Sequence, residues 1–449
     1  TAILDPSKGG AVLASGTLMS ITAEYAETFR GSTVEDYSRP NNAYLAKGTT
    51  DVLVRQVFDS ASEHYYYQLG SGRRVYMDDA AVYKENGKLT ANTLSGGQTT
   101  LENGGTTITF GSHWKIPYNV ELLPQKYRNA NTSSQPSYDV SATGQTTEYV
   151  DITFYYTDTV PAAPDVSSSP LFSKAAWIKG KDHQYVLRLT LTRKAQFYGY
   201  SVKWESGGKM SLHFQHAPTV GSDAQPLKGM RILLDAGHGG SSVGTAAGSL
   251  PEKTLTLQYA KTLQQKLQAL GATVHMTRTT DSNPTVDARM NAGRNNGTDL
   301  ILSIHMDGST SSATNGCSVH YFNEYSYLPA KTITEKMRQV ERSYGIGSRQ
   351  EVCLWNPFFI TRVSDAPSML IECGFMSNPR NLELLISDSY RNQLTGAIAD
   401  GVVAYFESLP AMESTSSIDS YSAATPATAS MAGSLIVAAL PADSRKRLW

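Results

Sequence analysis

Cysteine is scarce in this chain. Only Cys317, Cys353 and Cys373 occur among 449 residues, and no two of them form a CxxC pair. That spacing excludes a thiolate zinc knuckle and a dense disulfide framework, leaving either buried apolar thiols or one bridge plus one free thiol. An excess of charge is lacking too: 39 Lys and Arg nearly cancel 40 Asp and Glu. No global field therefore draws the protein onto nucleic acid or an anionic bilayer, and recognition falls to a specific pocket. Long hydrophobic runs are missing as well. The tail run Ser434 to Leu440 falls far short of the ~20 residues that span a bilayer, so no transmembrane segment is expected. The chain opens at Thr1 without the basic, apolar and small-residue succession of an export leader, so in an exported protein that leader is expected to have been removed already.

What is present divides the chain. The first half carries short alternating apolar runs punctuated by Gly, Asn, Ser and Pro, among them Val52 to Phe58, Thr106 to Phe110 and Tyr149 to Tyr156, which predicts β structure. Apolar residues recur at every second position in Tyr185, Leu187, Leu189 and Leu191. The runs around Val202 and Trp204 and from Met210 to Phe214 flank Gly207 and Gly208, a hairpin signal. Between Ala217 and Lys228 the sequence turns polar, with Pro218 and Pro226, and beyond Arg231 strands alternate with helices. Leu255, Tyr259, Leu263, Leu267 and Leu270 form a helical stripe ended by Gly271. Strands are expected at Ile232 to Leu234, Ala272 to Thr277, Leu300 to Ile304, Ser318 to Phe322 and Met369 to Ile371. Further helices are expected at Val286 to Gly293 and after Leu328.

The expected fold is thus an α/β domain, a twisted and mostly parallel sheet with helices on both faces, preceded by β-rich accessory domains. The boundaries read as a β-rich N-terminal region at 1–90, a β-sandwich-like domain at 91–222, the α/β domain at 229–410 and a low-complexity tail at 411–449. The tail, rich in Ser, Thr and Ala, is expected to be disordered, and its Ser444 to Trp449 end reads as a solvated terminus.

Four polar residues occupy equivalent places in the α/β domain. His238 follows the first strand in LLDAGHGG, His305 follows the middle strand in LILSIHMDG, and Glu372 follows the last in MLIECGF. In a parallel sheet the carboxyl ends of the strands share one edge, where ligands bind. Glu252 opens a crossover helix whose amino end faces that edge. Two imidazoles and a carboxylate with an open fourth position make a catalytic zinc set, whereas structural zinc takes four protein ligands. His238, Glu252 and His305 are therefore the candidate ligands of Zn2+, and Glu372 remains as a base. His275 and His320, inside strands, read as ordinary hydrogen-bonded residues. Asp235 and Asp307 could orient the histidines or simply form turns beside Gly237 and Gly308.

LLDAGHGG, the PEKTL helix start, TRTTD, SIHMDG and LIECGFMSNP occur in this order between about Arg231 and Leu409. Together they closely resemble the amidase-3 family of N-acetylmuramoyl-L-alanine amidases. The resemblance implies a secreted or envelope-associated bacterial autolysin that hydrolyses peptidoglycan between N-acetylmuramic acid and L-alanine. It assigns His238, Glu252 and His305 to zinc and the catalytic role to Glu372. The loop after His238 departs from the family, reading SSVG where Asp-Pro-Gly is common, which bears on the rim more than on the metal. Division enzymes of the family carry an inserted plug helix between the second histidine and the last glutamate, and here that stretch has no room for one. Tyr65 to Tyr83 is similar to SH3-like wall-enzyme barrels, and Tyr185 to Phe214 to the β-sandwich that precedes many wall amidases. The N-terminal half is accordingly expected to hold wall polymer while the α/β domain works alone. Two other readings stay open: a zinc carboxypeptidase or deacetylase acting on wall material, and a non-catalytic wall-binding protein.

Overall fold

In the computed structural model, residues 5–29, 43–59, 64–124, 147–193, 197–295, 297–347, 353–356 and 358–409 are described. The low-complexity tail lies outside them. The first ninety residues contribute an antiparallel sheet of Val12–Ile21, Thr50–Asp59, His64–Leu69, Arg74–Tyr76 and Ala80–Thr90. Next come two sheets that share one core. Tyr118–Leu123, Tyr149–Phe154, Phe172–Lys179 and Tyr185–Leu191 make the first, and Asn92–Glu102, Gly105–Ser112, Thr157–Thr159, Tyr200–Trp204 and Lys209–Gln215 the second. Leu187, Leu189 and Leu191 are buried at every second position against Phe154, Phe110 and Leu212, as a strand covered on one face requires. Gly207 takes φ +75 between Trp204 and Lys209, the left-handed conformation a tight connection needs.

The α/β half is built on six strands: β1 (Arg231–Ala236), β2 (Thr273–Met276), β3 (Leu300–Asp307), β4 (Ser318–Tyr321), β5 (Cys353–Trp355) and β6 (Ser368–Phe375). Their order across the sheet is β2-β1-β3-β6-β4-β5. β1 runs parallel to β2 and β3, β3 to β6, and β4 to β5. β4 is antiparallel to β6. A parallel return needs a long crossover, usually through a helix, and residues 308–317 between β3 and β4 contain none, so the chain comes back in the opposite direction.

Central strands of this kind are buried on both faces and so read as continuous apolar runs. Ile232, Leu234, Leu302, Ile304 and Ile371 pack under helices α1 (Glu252–Ala269), α3 (Tyr327–Ser343) and α5 (Asp388–Ser408). Leu233, Ile301 and Leu370 face the other way, toward Met290 of α2 (Val286–Asn295) and toward Ile360 and Val363. α1 ends as its sequence foretells. Gly271 at φ +98 follows the last turn, its N–H donates to the Gln268 carbonyl, and Ala272 donates to Leu267, the paired bonds of a Schellman cap. Neither α4 (Pro379–Leu385) nor α5 was anticipated. α4 begins at Asn378, whose side chain accepts from Asn381 N–H, with Pro379 at the first helical position. All three cysteines are free, and Cys317 and Cys373 are buried, so the buried-thiol reading holds and the bridged one does not.

The halves meet through a buried junction. Arg294 of α2 donates to Glu27 at 2.6 Å and stacks over the rings of Tyr25 and Tyr44 at 4.9 and 4.6 Å. Arg362 lies over Phe29 at 4.7 Å. The Tyr198 hydroxyl donates to the Asp299 carbonyl and Gln215 to the Asp299 carboxylate. Tyr325, from the α/β half, is buried in the core of the β-rich half against Phe197.

Candidate metal centre

The loop that carries His238 is sharply folded. β1 ends at Ala236, and His238 itself adopts φ +57, costly for a residue with a side chain and found where the surroundings over-determine it. Here they do. The Gly239 and Ser242 backbones exchange hydrogen bonds, and Ser242 Oγ lies 2.9 Å from His238 Nδ1, which leaves Nε2 for the pocket. Gly237 must lack a side chain, because a Cβ there would overlap the His305 imidazole.

Glu252 opens α1 directly after Pro251 and turns back into the sheet edge. Its Oε1 accepts from the backbone N–H of Met306 at 3.0 Å and its Oε2 from that of Thr245 at 2.8 Å. The same two oxygens stand 3.0 Å from His305 Nδ1 and 3.2 Å from His238 Nε2. Burial alone would push this carboxyl up, but hydrogen bonds and charge from the two imidazoles outweigh it and hold it well below the usual carboxylate range. The imidazole rings meet edge to face with centroids 5.0 Å apart.

The structure therefore brings together the three residues singled out as ligands. One donor atom from each of His238, Glu252 and His305 lies within 4.8 Å of the others, and the side chains are 9, 3 and 4% exposed. A buried carboxylate wedged between two imidazole nitrogens is a donor set that fits zinc. Glu372 does not join this cluster. It is the register partner of His305 across β3 and β6 and of Ser318 across β6 and β4, which places it beside the pocket. His305 and Glu372 were expected just after their strands but sit inside them, near the carboxyl ends.

Asp235 does not orient the histidines by direct hydrogen bonds. Its carboxylate accepts from Arg289, Thr277 and Ser303, and these bonds, with the Arg289 charge, outweigh burial and lower its pKa. Asp307 accepts from the N–H of Gly308, the turn reading. His320 lies within β4, 3.1 Å from Ser318 Oγ and 2.7 Å from Asn356 Nδ2. The sequence gives no signal for Ser242, whose side chain is small and polar, or for the roles of Arg278 and Arg289, most of whose targets are backbone carbonyls that no motif displays.

The profile of the N-acetylmuramoyl-L-alanine amidase family, Amidase_3, matches residues 232–404. A probable cell wall amidase LytH of Staphylococcus saprophyticus is 34% identical over 206 residues, covering 45% of this chain and 67% of that protein. Its counterpart in Staphylococcus epidermidis is 32% identical over 239 residues, covering 52% of this chain and 73% of that protein. A solved N-acetylmuramoyl-L-alanine amidase from Clostridium difficile 630 is 30% identical, with 40% of this chain and 97% of that chain covered at a TM-score of 0.37. The two staphylococcal relatives, each matched over two thirds or more of its length, together with the family profile, make this chain a member of the Amidase_3 family of N-acetylmuramoyl-L-alanine amidases.

Proposed function

We propose that this chain is a zinc-dependent amidase of the bacterial envelope that hydrolyses peptidoglycan at the amide between N-acetylmuramic acid and L-alanine. The observation that carries this reading is the buried His238, Glu252 and His305 cluster with Glu372 beside it. His238 Nε2, His305 Nδ1 and a Glu252 oxygen would hold the ion. Zinc, when bound, makes water acidic near neutral pH and polarises a carbonyl. The chain's own residues do the rest. Glu372 takes the proton of the attacking water and delivers it to the departing amine of L-alanine, which completes the hydrolysis without a covalent enzyme intermediate. Ser242 and the backbone donors of Thr245 and Met306 keep the ligand side chains from turning away. A carboxypeptidase or deacetylase would leave the lactyl amide intact, so mass spectrometry of purified muropeptides separates the readings. Release of the intact stem peptide from the lactyl group supports the amidase, and a trimmed peptide or a lost acetyl group with that amide intact would overturn it.

The β-rich half, with domains at 1–90 and 91–222, is assigned to retention on wall polymer, and residues 229–410 to the chemistry. The exposed aromatic pair Phe58 and Tyr65, with ring centroids 4.8 Å apart, supports a surface that meets sugar rings. No described helix is long and apolar enough to cross a membrane. Pelleting of the full chain with insoluble sacculi, with and without Phe58→Ala, tests the assignment, and undiminished pelleting of that variant would remove the pair from it.

A further inference from the structure

The segment TRTTD, Thr277 to Asp281, follows β2 and has no part in the chemistry above, yet it grips both stretches that deliver the proposed ligands. Arg278 is buried and turns most of its guanidinium toward them. Nε donates to the Ala236 carbonyl at 2.9 Å, Nη2 to Gly237 at 2.9 Å, to Lys253 at 2.8 Å and to Thr256 Oγ1 at 3.0 Å, and Nη1 to Thr280 at 3.0 Å. Ala236 and Gly237 lead into His238, and Lys253 is the residue after Glu252. One rigid fork therefore spans the turn that bears His238 and the first turn of the helix that bears Glu252. Asp281 adds an outer latch, accepting from Gly240 N–H at 2.8 Å and from Lys253 Nζ at 2.7 Å, while Lys253 Nζ also donates to the Gly240 carbonyl.

We propose that Arg278 is a positioning residue that fixes the spacing of His238 and Glu252 and thereby sets the affinity of the site for zinc. This inference rests on the zinc reading of that site. Electrostatics argues for a geometric role. A buried cation beside a cation site repels the ion, so charge alone would make Arg278 a liability, and removing it would tighten binding. Its fork instead serves several carbonyls at fixed angles, which the point charge of a lysine cannot reproduce. The described residues give the turn at His238, with its unfavourable φ, no strand partner for those carbonyls on this side, so side chains supply what a sheet neighbour would: Arg278 reaches both, Arg289 shares the Ala236 carbonyl and Thr256 the Gly237 carbonyl.

The test uses the full chain, stripped of metal, with zinc ion titrated against a chromophoric chelator and melting of the stripped protein recorded in parallel. Arg278→Lys, which keeps the charge, and Arg278→Gln, which removes it, should both weaken zinc binding by about tenfold to a hundredfold, the usual effect of losing support behind a ligand. Leu263→Ala, a buried deletion farther along the same helix, should lower the melting temperature and leave zinc affinity as in the wild type. Thr256→Val, which at nearly constant shape deletes one acceptor of the fork together with the hydroxyl's own donation to the Gly237 carbonyl, should weaken zinc in the same direction by less, and it stands in if the arginine variants do not fold. Wild-type or tighter zinc binding by the arginine variants, or by Thr256→Val in their place, would overturn the proposal. So would an equal loss in Leu263→Ala. His238→Ala reports on the underlying reading: if it too binds zinc as the wild type does, the metal site is elsewhere, whereas loss of zinc there with full binding in Arg278→Lys defeats only the positioning role.

Discussion

Two clusters of buried charge in this chain are built on opposite plans. Around His238, Glu252 and His305 a carboxylate and two imidazoles point inward to a common centre, while the cations Arg278 and Arg289 stand behind them and direct their donors to backbone carbonyls and Asp235. At the junction of the halves, Glu27 is met directly by Arg294 and, at 3.9 Å, by Arg362, with aromatic rings closing around both cations. The first cluster keeps its three donors clear of any guanidinium, so that they face one another and could hold an ion. The second pairs its carboxylate with guanidiniums, and no metal-donor group of this kind is found there among the described residues. A buried carboxylate that faces imidazoles leaves a donor set open, and one that faces guanidiniums ties elements together.

That contrast is broken most forcefully at the metal cluster. His305→Ala should abolish both zinc content and muropeptide hydrolysis, because the remaining two donors cannot make a catalytic zinc site. Elemental analysis and hydrolysis read together decide it, and full zinc occupancy would remove His305 from the ligands. Glu372→Gln should keep zinc and fold yet lose about a hundredfold to ten-thousandfold in rate, the typical cost of a missing general base. A wild-type rate for this variant would make Glu372 structural.

The junction should fail in the other currency, stability without chemistry. Arg294→Met leaves the Glu27 carboxylate buried without its nearest cation, and breaking a buried pair costs about 3–5 kcal/mol. Urea unfolding of the full chain should show that loss, while zinc stoichiometry stays unchanged. Unchanged stability would mean that the halves merely touch. The same junction bears on the expectation that the α/β domain works alone. Cutting the chain before Lys228 would expose Tyr325, Arg294 and Asp299 to water, so the isolated piece should melt well below the full chain even if its pocket is intact. Equal melting temperatures would restore independent domains.

The sequence made the cluster of His238, Glu252 and His305 legible because its residues sit at strand ends and a helix start, places that the period of apolar residues locates without any tertiary information. β1, β3 and β6 announced themselves as short apolar runs, and α1 by its Leu255 to Leu270 stripe and Gly271. The junction was not legible. Glu27 and Arg294 are far apart in the chain, and nothing in either local sequence distinguishes a buried ion pair from two solvated charges. α5 was missed for a related reason: Ala397, Ala399, Gly401 and Val402 are all buried along with Leu394, Ile398, Tyr405 and Phe406, so the helix is covered around much of its circumference and shows no clean stripe. The antiparallel β4 escaped because strand direction follows from the connection, which alternation of apolar residues does not encode.

The finest distinction between the clusters concerns pH. Asp365 lies at the junction, half-buried as a residue but with Oδ2 shut off from solvent and without a hydrogen-bond partner. Burial pushes its carboxyl up to about 7, against the opposing pull of Arg294 and Lys203 and with help from Glu27. A carboxyl raised in the folded state binds its proton more tightly folded than unfolded. Its contribution to stability is therefore fully present below the ordinary value near 3.8 and is lost as pH rises through about 7. Asp365→Asn keeps the shape and removes the titration. Relative to the wild type, the variant should gain stability progressively from about pH 4 to pH 7 and hold a constant advantage above, on the order of a few kcal/mol. Urea midpoints of the two proteins across that range measure the difference directly, since every other titrating group is common to both. Curves that run parallel from pH 4 to pH 8 would show that Asp365 is solvated at the junction and that the second cluster is wetter than its geometry implies.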